Sequence, residues 1–282
     1  MSMTLAYSLD WLAFSDPNLI PLSDIFDYGW NKPKLRKSTP LRGYDTVLTM
    51  AVGRVDWHSH LISQRRLWTL NGGDLRDLYS LGFEQPRLVR EVCKIHDLRV
   101  SRADFAIDIK GASAKPSEVE TAWHEGKVLT RAEKFTSIQS VTKDNVSLGQ
   151  TVYIGSRSSP LFMRVYDKGA EQGTGEDWVR VEVEMKHPVA TKGVREMDRL
   201  GIAQAGTAIT RRVAEIPSIW WYTDALSGAG EADISTGRKV TDWEKWVTEI
   251  ALPNVIKALE QDVPGMRTAI EGALSRPFDY TK

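Results

Sequence analysis

Ser101–Gly111, SRADFAIDIKG, is the stretch on which the fold turns. Side chains alternate across an extended strand, so Arg102, Asp104, Ala106 and Asp108 fall on one face, and Ala103, Phe105, Ile107 and Ile109 on the other. The apolar face reads as core, while the opposite face carries two carboxylates. Like charges so placed are costly unless a cation joins them, and a hard divalent ion such as Mg²⁺ prefers oxygen ligands. A second arrangement stays open at this level, with one Asp paired to a neighbouring Arg and the other at a solvated strand end.

Trp178–Lys186, WVRVEVEMK, repeats the pattern further along, with Arg180, Glu182, Glu184 and Lys186 on one face. By itself it reads as an exposed amphipathic strand with cross-strand ion pairs. As a neighbour of the first strand it brings three or four carboxylates together, and a metal site becomes plausible. Between the two lies TVYIGSRSSPLFMRVYDKG, where Arg164 and Tyr166 share a face and Lys168 continues that parity before Gly169. A tyrosine, with a pKa of about 10, is a weak nucleophile at neutral pH and needs a nearby cation to favour the phenolate. Arg164, Lys168 and a carboxylate-held metal would supply one. The alternative is a core ring with its hydroxyl bonded locally.

Outward from these strands the chain is legible in coarse terms. SLDWLAFS reads as a buried first strand, and Gly43 to Leu70 as two or three strands. Asp74 is placed to cap a short helix and Pro86 to open another. Ser117 and Glu120 match a capping box for a helix running to about Glu125. Four strands follow, in RAEKFTSIQSV, QTVYIGS, PLFMRVYDKG and WVRVEVEMK. After His187-Pro188 the character turns helical, with VREMDRLGIAQ, the Trp220-Trp221-Tyr222 run, a Gly/Ser-rich loop around Ser227 to Gly237, and a long amphipathic run carrying Thr241, Glu244, Trp243 and Trp246. Strands first and helices afterwards predict an α+β domain over residues 1–187, with a helical region over 188–282 as a partner-binding appendage.

Composition narrows the class. The 282 residues are 41% hydrophobic and 26% charged, as a globular chain with a sizeable core requires. A single cysteine, Cys93, excludes an intramolecular disulfide and a Cys-based zinc cluster. No basic leader precedes Phe14, and no run approaches the roughly 20 apolar residues needed to span a bilayer, so the expectation is a cytoplasmic protein without a membrane partner. Lys plus Arg and Asp plus Glu balance at 37 each. They are unevenly spread, with 15 basic against 9 acidic residues from Trp30 to Lys110, which makes a basic surface there a candidate for a polyanion. His58 and His60 share a strand face as a metal pair would. The glycines of YIGSRSS and TLNGG lack the Gly-Lys-Ser/Thr of a phosphate-binding loop, and there is neither a Gly-x-Ser-x-Gly elbow nor a His-Glu-x-x-His metalloprotease signature.

Taken in order, LDWLAFS, SRADFAIDIKG, GQTVYIGSRSSPLFMRVYDKG, WVRVEVEMK and a tryptophan-containing C-terminal run resemble the Rep_trans type of rolling-circle replication initiation factor, over roughly residues 8 to 260. That family includes plasmid and filamentous-phage initiators and relaxases of integrative elements. The resemblance implies a central antiparallel sheet like that of the HUH endonucleases, with carboxylates in place of histidines. It also implies a DNA strand transferase that nicks one strand at an origin through a tyrosine, keeps a 5′-phosphotyrosine link and leaves a 3′-OH primer. The family's Arg-x-Tyr-x-Lys tyrosine falls on Tyr166, flanked by Arg164 and Lys168, with Tyr153 as the second candidate. Its metal carboxylates fall on Asp104, Asp108 and Glu182, for Mg²⁺ or Mn²⁺, with His58 or His60 as substitutes. Contacts to single-stranded or hairpin origin DNA are expected from Lys32, Lys34, Arg36, Lys37, Arg65, Arg66 and Arg157, with Trp68 for stacking or for the core. A host helicase and a second copy of the chain are the further partners implied. A non-enzymatic DNA-binding copy-control protein and a water-using metal nuclease remain the alternatives.

Overall fold

The computed structural model describes residues 3–16, 40–41, 44, 46–49, 53–57, 66–144, 147–228 and 232–234. The strand expected at 101–110 spans Arg99–Lys110 and is the fifth, β5. Ahead of it come β1 (Thr4–Asp16), β2 (Thr46–Thr49), β3 (Arg54–Trp57) and β4 (Arg66–Leu70), then helices α1 (Gly72–Ser80) and α2 (Gln85–Cys93). After it come α3 (Pro116–His124), β6 (Leu129–Thr130), β7 (Phe135–Val141), β8 (Ser147–Ile154) and β9 (Leu161–Asp167). The short helix α4 (Lys168–Glu171), β10 (Trp178–Lys186), α5 (His187–Leu200), α6 (Ile202–Val213), β11 (Ala214–Glu215) and α7 (Trp220–Ala225) follow.

Nine of the strands form one antiparallel sheet in the order β2-β3-β4-β1-β5-β10-β9-β8-β7, and β6 and β11 make a separate pair. The first strand is therefore central, paired to β4 on one side and β5 on the other. Each half of the sheet is a meander, as the turn chemistry predicts. The two charged strands are direct neighbours, with Asp108 opposite Arg180, Ala106 opposite Glu182 and Asp104 opposite Glu184.

One face of β5 and β10 is covered by helices, and its alternate residues Ala103, Phe105, Ile107, Ile109, Val181, Val183 and Met185 are buried there. The fit is close. A Cβ at Gly206 of α6 would lie 2.0 Å from the Phe105 ring, so only glycine lets this helix sit on the strand. The single helical run expected after His187 is two helices, because Gly201, at φ +88, breaks it between α5 and α6. Two caps also differ from expectation. Asn71, not Asp74, caps α1, its side chain accepting from the Gly73 and Asp74 amides, while Asp74 reaches back to the Asn71 amide at 2.9 Å. Likewise α3 starts at Pro116, and Glu118 accepts from the Lys115 amide at 2.9 Å; Ser117 lies inside the helix and Glu120 instead bonds Gln150. In both places the carboxylate three residues past the cap, Asp74 or Glu118, accepts from the cap residue's own amide.

No helix among the described residues is long and apolar enough to cross a membrane. The chain divides into units Met1–Ser235 and Thr236–Lys282. The second unit, with Thr241, Trp243, Glu244 and Trp246, lies outside the described residues, as do Lys32, Lys34, Arg36, Lys37, His58, His60 and Arg65.

Candidate active site

The sheet face turned away from α5 and α6 carries the charged residues of β5, β10 and β9. Its alternation is what the sequence pattern predicts, but the residues are far less exposed than an amphipathic surface strand would have them. Asp104, Glu182 and Arg180 are all buried. Burying charge costs several kcal/mol per ion unless partners and hydrogen bonds offset it, so each carboxylate here is expected to be held.

They are held in two groups. Toward the start of β10, Arg180 spans Asp108 with Nε to Oδ1 at 2.7 Å and Nη2 to Oδ2 at 2.8 Å, the bidentate fork that fits a carboxylate best. Trp178 Nε1 donates to the same Oδ1 at 2.7 Å. Arg180 Nη1 lies 2.9 Å from Asp10 Oδ1, as an ion pair without hydrogen-bond alignment. Asp10 sits where the β1–β5 register shifts between Leu9 and Trp11. Strand parity could not have placed it, because the shift breaks the alternation on which parity depends.

Four residues along β5, the second group is richer in carboxylates. Arg102 forks onto Asp104, with Nε to Oδ1 at 2.9 Å and Nη2 to Oδ2, and the same Nη2 is ion-paired with Glu184 Oε2 at 3.0 Å; its guanidinium lies 4.4 Å over the Trp11 ring. Lys186 Nζ also reaches Glu184, at 3.0 Å. Arg164 pairs with Glu182 Oε1, and the Tyr166 hydroxyl donates to Glu182 Oε2 at 3.0 Å. Burial first, and then the Glu182 and Glu184 charges, push the Asp104 carboxyl up to about 7 against the pull of Arg102. Three carboxylates close together are the donor types a hard divalent cation takes, and here Arg102, Arg164 and Lys186 balance them one for one.

Asp108 does not belong to that cluster. Four residues at roughly 3.3 Å each put it about 13 Å from Asp104, too far for one ion, and Arg180 already holds both its oxygens. Among the described residues no three His, Cys, Asp or Glu side chains converge as metal ligands do. The donor types at Asp104, Glu182 and Glu184 fit a cation, whereas their side chains are turned to Arg102, Arg164 and Lys186.

Both candidate tyrosines, Tyr153 and Tyr166, line one cavity of about 280 Å³ together with Gln150, Arg164, Asp167 and Glu171. Tyr166 is 8% exposed. Burial and then Glu182 raise its phenol above the ordinary tyrosine range, and Arg180 and Arg164 pull the other way without prevailing. The field expected to favour the phenolate is thus outweighed by desolvation among the protein's own groups, and Tyr166 is a hydrogen-bond donor in this state. Lys168 is not the next residue of the strand as its parity implied. Asp167 caps α4, accepting from the Ala170 amide at 2.8 Å, and Lys168 opens that turn. Its buried ammonium pairs with Glu171 and lies 5.4 Å from the centre of the Tyr166 ring, close to the 5.6 Å of Arg164.

Tyr153 is half-buried and faces Arg164 across β8 and β9. Arg157 stacks 4.9 Å over its ring and donates to its hydroxyl at 3.3 Å. Arg66 is half-buried at the start of β4, and Trp68 stacks on Phe14 in the core at 6.1 Å, so Trp68 offers no ring to a nucleobase. Sequence reading did not nominate Asp10, Trp178 or Glu184. Glu184 carries a usable signal, since it shares the face of Glu182 two residues away.

A family model described as a replication initiation factor matches residues 98–258, more than half of the chain. A solved structure described as a rolling circle replication initiator protein from Geobacillus stearothermophilus has the same fold, with a TM-score of 0.66 at 18% identity over 79% of this chain and 96% of that one. No curated protein matches.

Proposed function

The chain belongs to the replication initiation factor family, and on that premise we propose that it nicks one strand of origin DNA with Tyr166 as the nucleophile, keeping the 5′ end as a phosphotyrosine. The observation that carries this reading is the Tyr166–Glu182–Arg164 arrangement at the wall of a cavity. A phenol raised above its ordinary range needs a base at the moment of attack, and Glu182 Oε2, 3.0 Å from the hydroxyl, is placed to be that base.

As Tyr166 Oη bonds to phosphorus its proton passes to Glu182. The P–O3′ bond breaks, and the departing 3′ oxygen takes the proton up to become the primer hydroxyl. Arg164, which lines the cavity, offsets charge developing on the non-bridging oxygens, and Lys168 adds a second positive centre beside the ring. The phosphodiester energy is conserved in the new ester, so the nick can be resealed or transferred. Asp104 and Glu182, with Glu184, are the residues that would hold a divalent cation, which when bound supplies Lewis-acid polarisation of the scissile phosphate. Asp108 and Asp10 act through Arg180, as the frame that fixes β1, β5 and β10.

The test incubates wild type, Tyr166→Phe and Tyr153→Phe with supercoiled DNA carrying the gene and its flanks, with Mg²⁺ or Mn²⁺, and resolves nicking and protein–DNA adducts on SDS gels. Wild type and Tyr153→Phe form the adduct and Tyr166→Phe does not. The opposite pattern moves the nucleophile to Tyr153. Nicking without an adduct means a water-using nuclease, and binding without nicking means a non-catalytic DNA-binding protein.

A further inference from the structure

A larger cleft, of about 740 Å³, opens at the tip of the β8–β9 hairpin. Its walls carry Arg131, Lys134 and Arg212, with Ser156 and Ser159 between them and Glu133 as the one acidic residue. The three cations come from distant parts of the chain, and backbone hydrogen bonds bring them together. Pairing of β6 with β11 sets Thr130 opposite Ala214, and Thr130 Oγ1 donates to the Val213 carbonyl, which seats Arg131 beside Arg212. The Gly155 amide donates to the Lys134 carbonyl at 2.8 Å, which seats Lys134 beside the hairpin tip.

The arginines of the charged sheet face, Arg102, Arg164 and Arg180, are each paired with a carboxylate, whereas Arg131, Lys134 and Arg212 form no ion pair with any described residue. Three unpaired like charges held around one cleft repel each other, and a row of anions relieves that cost. The same hairpin joins this cleft to the tyrosine cavity. Tyr153, Arg164 and Tyr166 on its strands line the smaller space, Ile154 to Ser156 and Ser159 to Leu161 at its tip line the larger, and Arg157 in the tip leans back over Tyr153.

We propose that this cleft binds the phosphate backbone of single-stranded DNA continuous with the strand engaged at the tyrosine site. A space of about 740 Å³ has room for a short stretch of one strand, whose flexible backbone can follow the hairpin from the tyrosine cavity. The inference rests on the reading that the tyrosine cavity takes DNA, and it adds a second contact region that the nicking step itself does not need.

The experiment uses the full chain and a fluorescent 30-nucleotide single strand of mixed sequence, with anisotropy measured across a salt series. The triple variant Arg131→Gln/Lys134→Gln/Arg212→Gln is compared with Arg76→Gln/Arg90→Gln/Arg195→Gln, which removes the same charge from exposed helix positions elsewhere. Each phosphate contact contributes about 0.7 to the single-strand salt slope, so loss of three lowers it by about 2 and weakens binding at least tenfold at 0.1 M salt, with the control unchanged. An equal effect in the control, or an unchanged slope in the cleft variant, overturns the proposal. A slope change as large on a 30-base-pair duplex overturns the single-strand assignment. Adduct yield at saturating DNA separates the two readings: the cleft variant keeps it, and its loss in wild type counts against the tyrosine chemistry and not against the cleft.

Discussion

Asp104 and Asp108 look alike in sequence, two aspartates on one face of one strand, and each is spanned by an arginine fork, Asp104 by Arg102 and Asp108 by Arg180, yet the fold surrounds the two forks differently. Trp178 adds a further donor to Asp108, which has no second carboxylate of β10 beside it. Asp104 lies deeper, beside Glu182 and Glu184, and its carboxyl is pushed up to about 7. The first end of the face is a clamp that ties three strands together. The second crowds Asp104, Glu182 and Glu184 together against Arg102, Arg164 and Lys186, and it is the end that touches Tyr166. Adjacent stretches of one ionic surface can thus divide into frame and chemistry according to how deeply each carboxylate is buried and how many others crowd it.

Glu182→Gln against Asp108→Asn is the strongest way to break that comparison. Loss of the Tyr166 proton acceptor slows adduct formation per folded molecule by about 10²–10⁴-fold. Asp108→Asn does the converse, leaving adduct formation per folded molecule near wild type and reducing stability. Equal rate losses in single-turnover assays would erase the distinction between the two ends. Arg180→Ala carries the structural half furthest: it strands Asp10 and Asp108 together and costs about 3–5 kcal/mol, read from urea midpoints.

A subtler effect is a difference in pH dependence. A carboxyl whose pKa rises on folding keeps a proton that the unfolded chain releases between about pH 4 and pH 7, so stability falls as pH rises through that window. Asp104→Asn removes this contribution, and its urea midpoints between pH 4.5 and 7 decline less than those of wild type. Added Mn²⁺ raises the wild-type midpoint at pH 7 and has little effect on the variant, because only the wild type gains a charged ligand at that position. Parallel pH profiles would return Asp104 to the same class as Asp108.

Much of the fold could be read from the chain. Period-two alternation located β5, β8, β9 and β10 and their faces, because a strand buried on one side must repeat its apolar residues every second position. The meeting of Asp104 with the carboxylates of β10 was anticipated only as a condition, that the two acidic strands be neighbours. That condition is long-range: β5 and β10 are separated by six other elements, and no local spacing encodes their register. The cap differences at Asn71 and Lys115 are local shifts of the helix start, each leaving the carboxylate three residues on to accept from the cap amide.

What the sequence determined by itself was the alternation, the residue types on each face, and the membership these imply. Periodicity and composition are local properties, and burial forces them on any strand in any fold. What tertiary structure alone decided was which carboxylate meets which arginine, that Asp10 joins Arg180 at a register shift, that burial holds Tyr166 protonated, and that Arg131, Lys134 and Arg212 share one cleft. Each depends on distances between groups far apart in the chain, and electrostatic energy is set by those distances and by depth from water, neither of which a linear pattern contains.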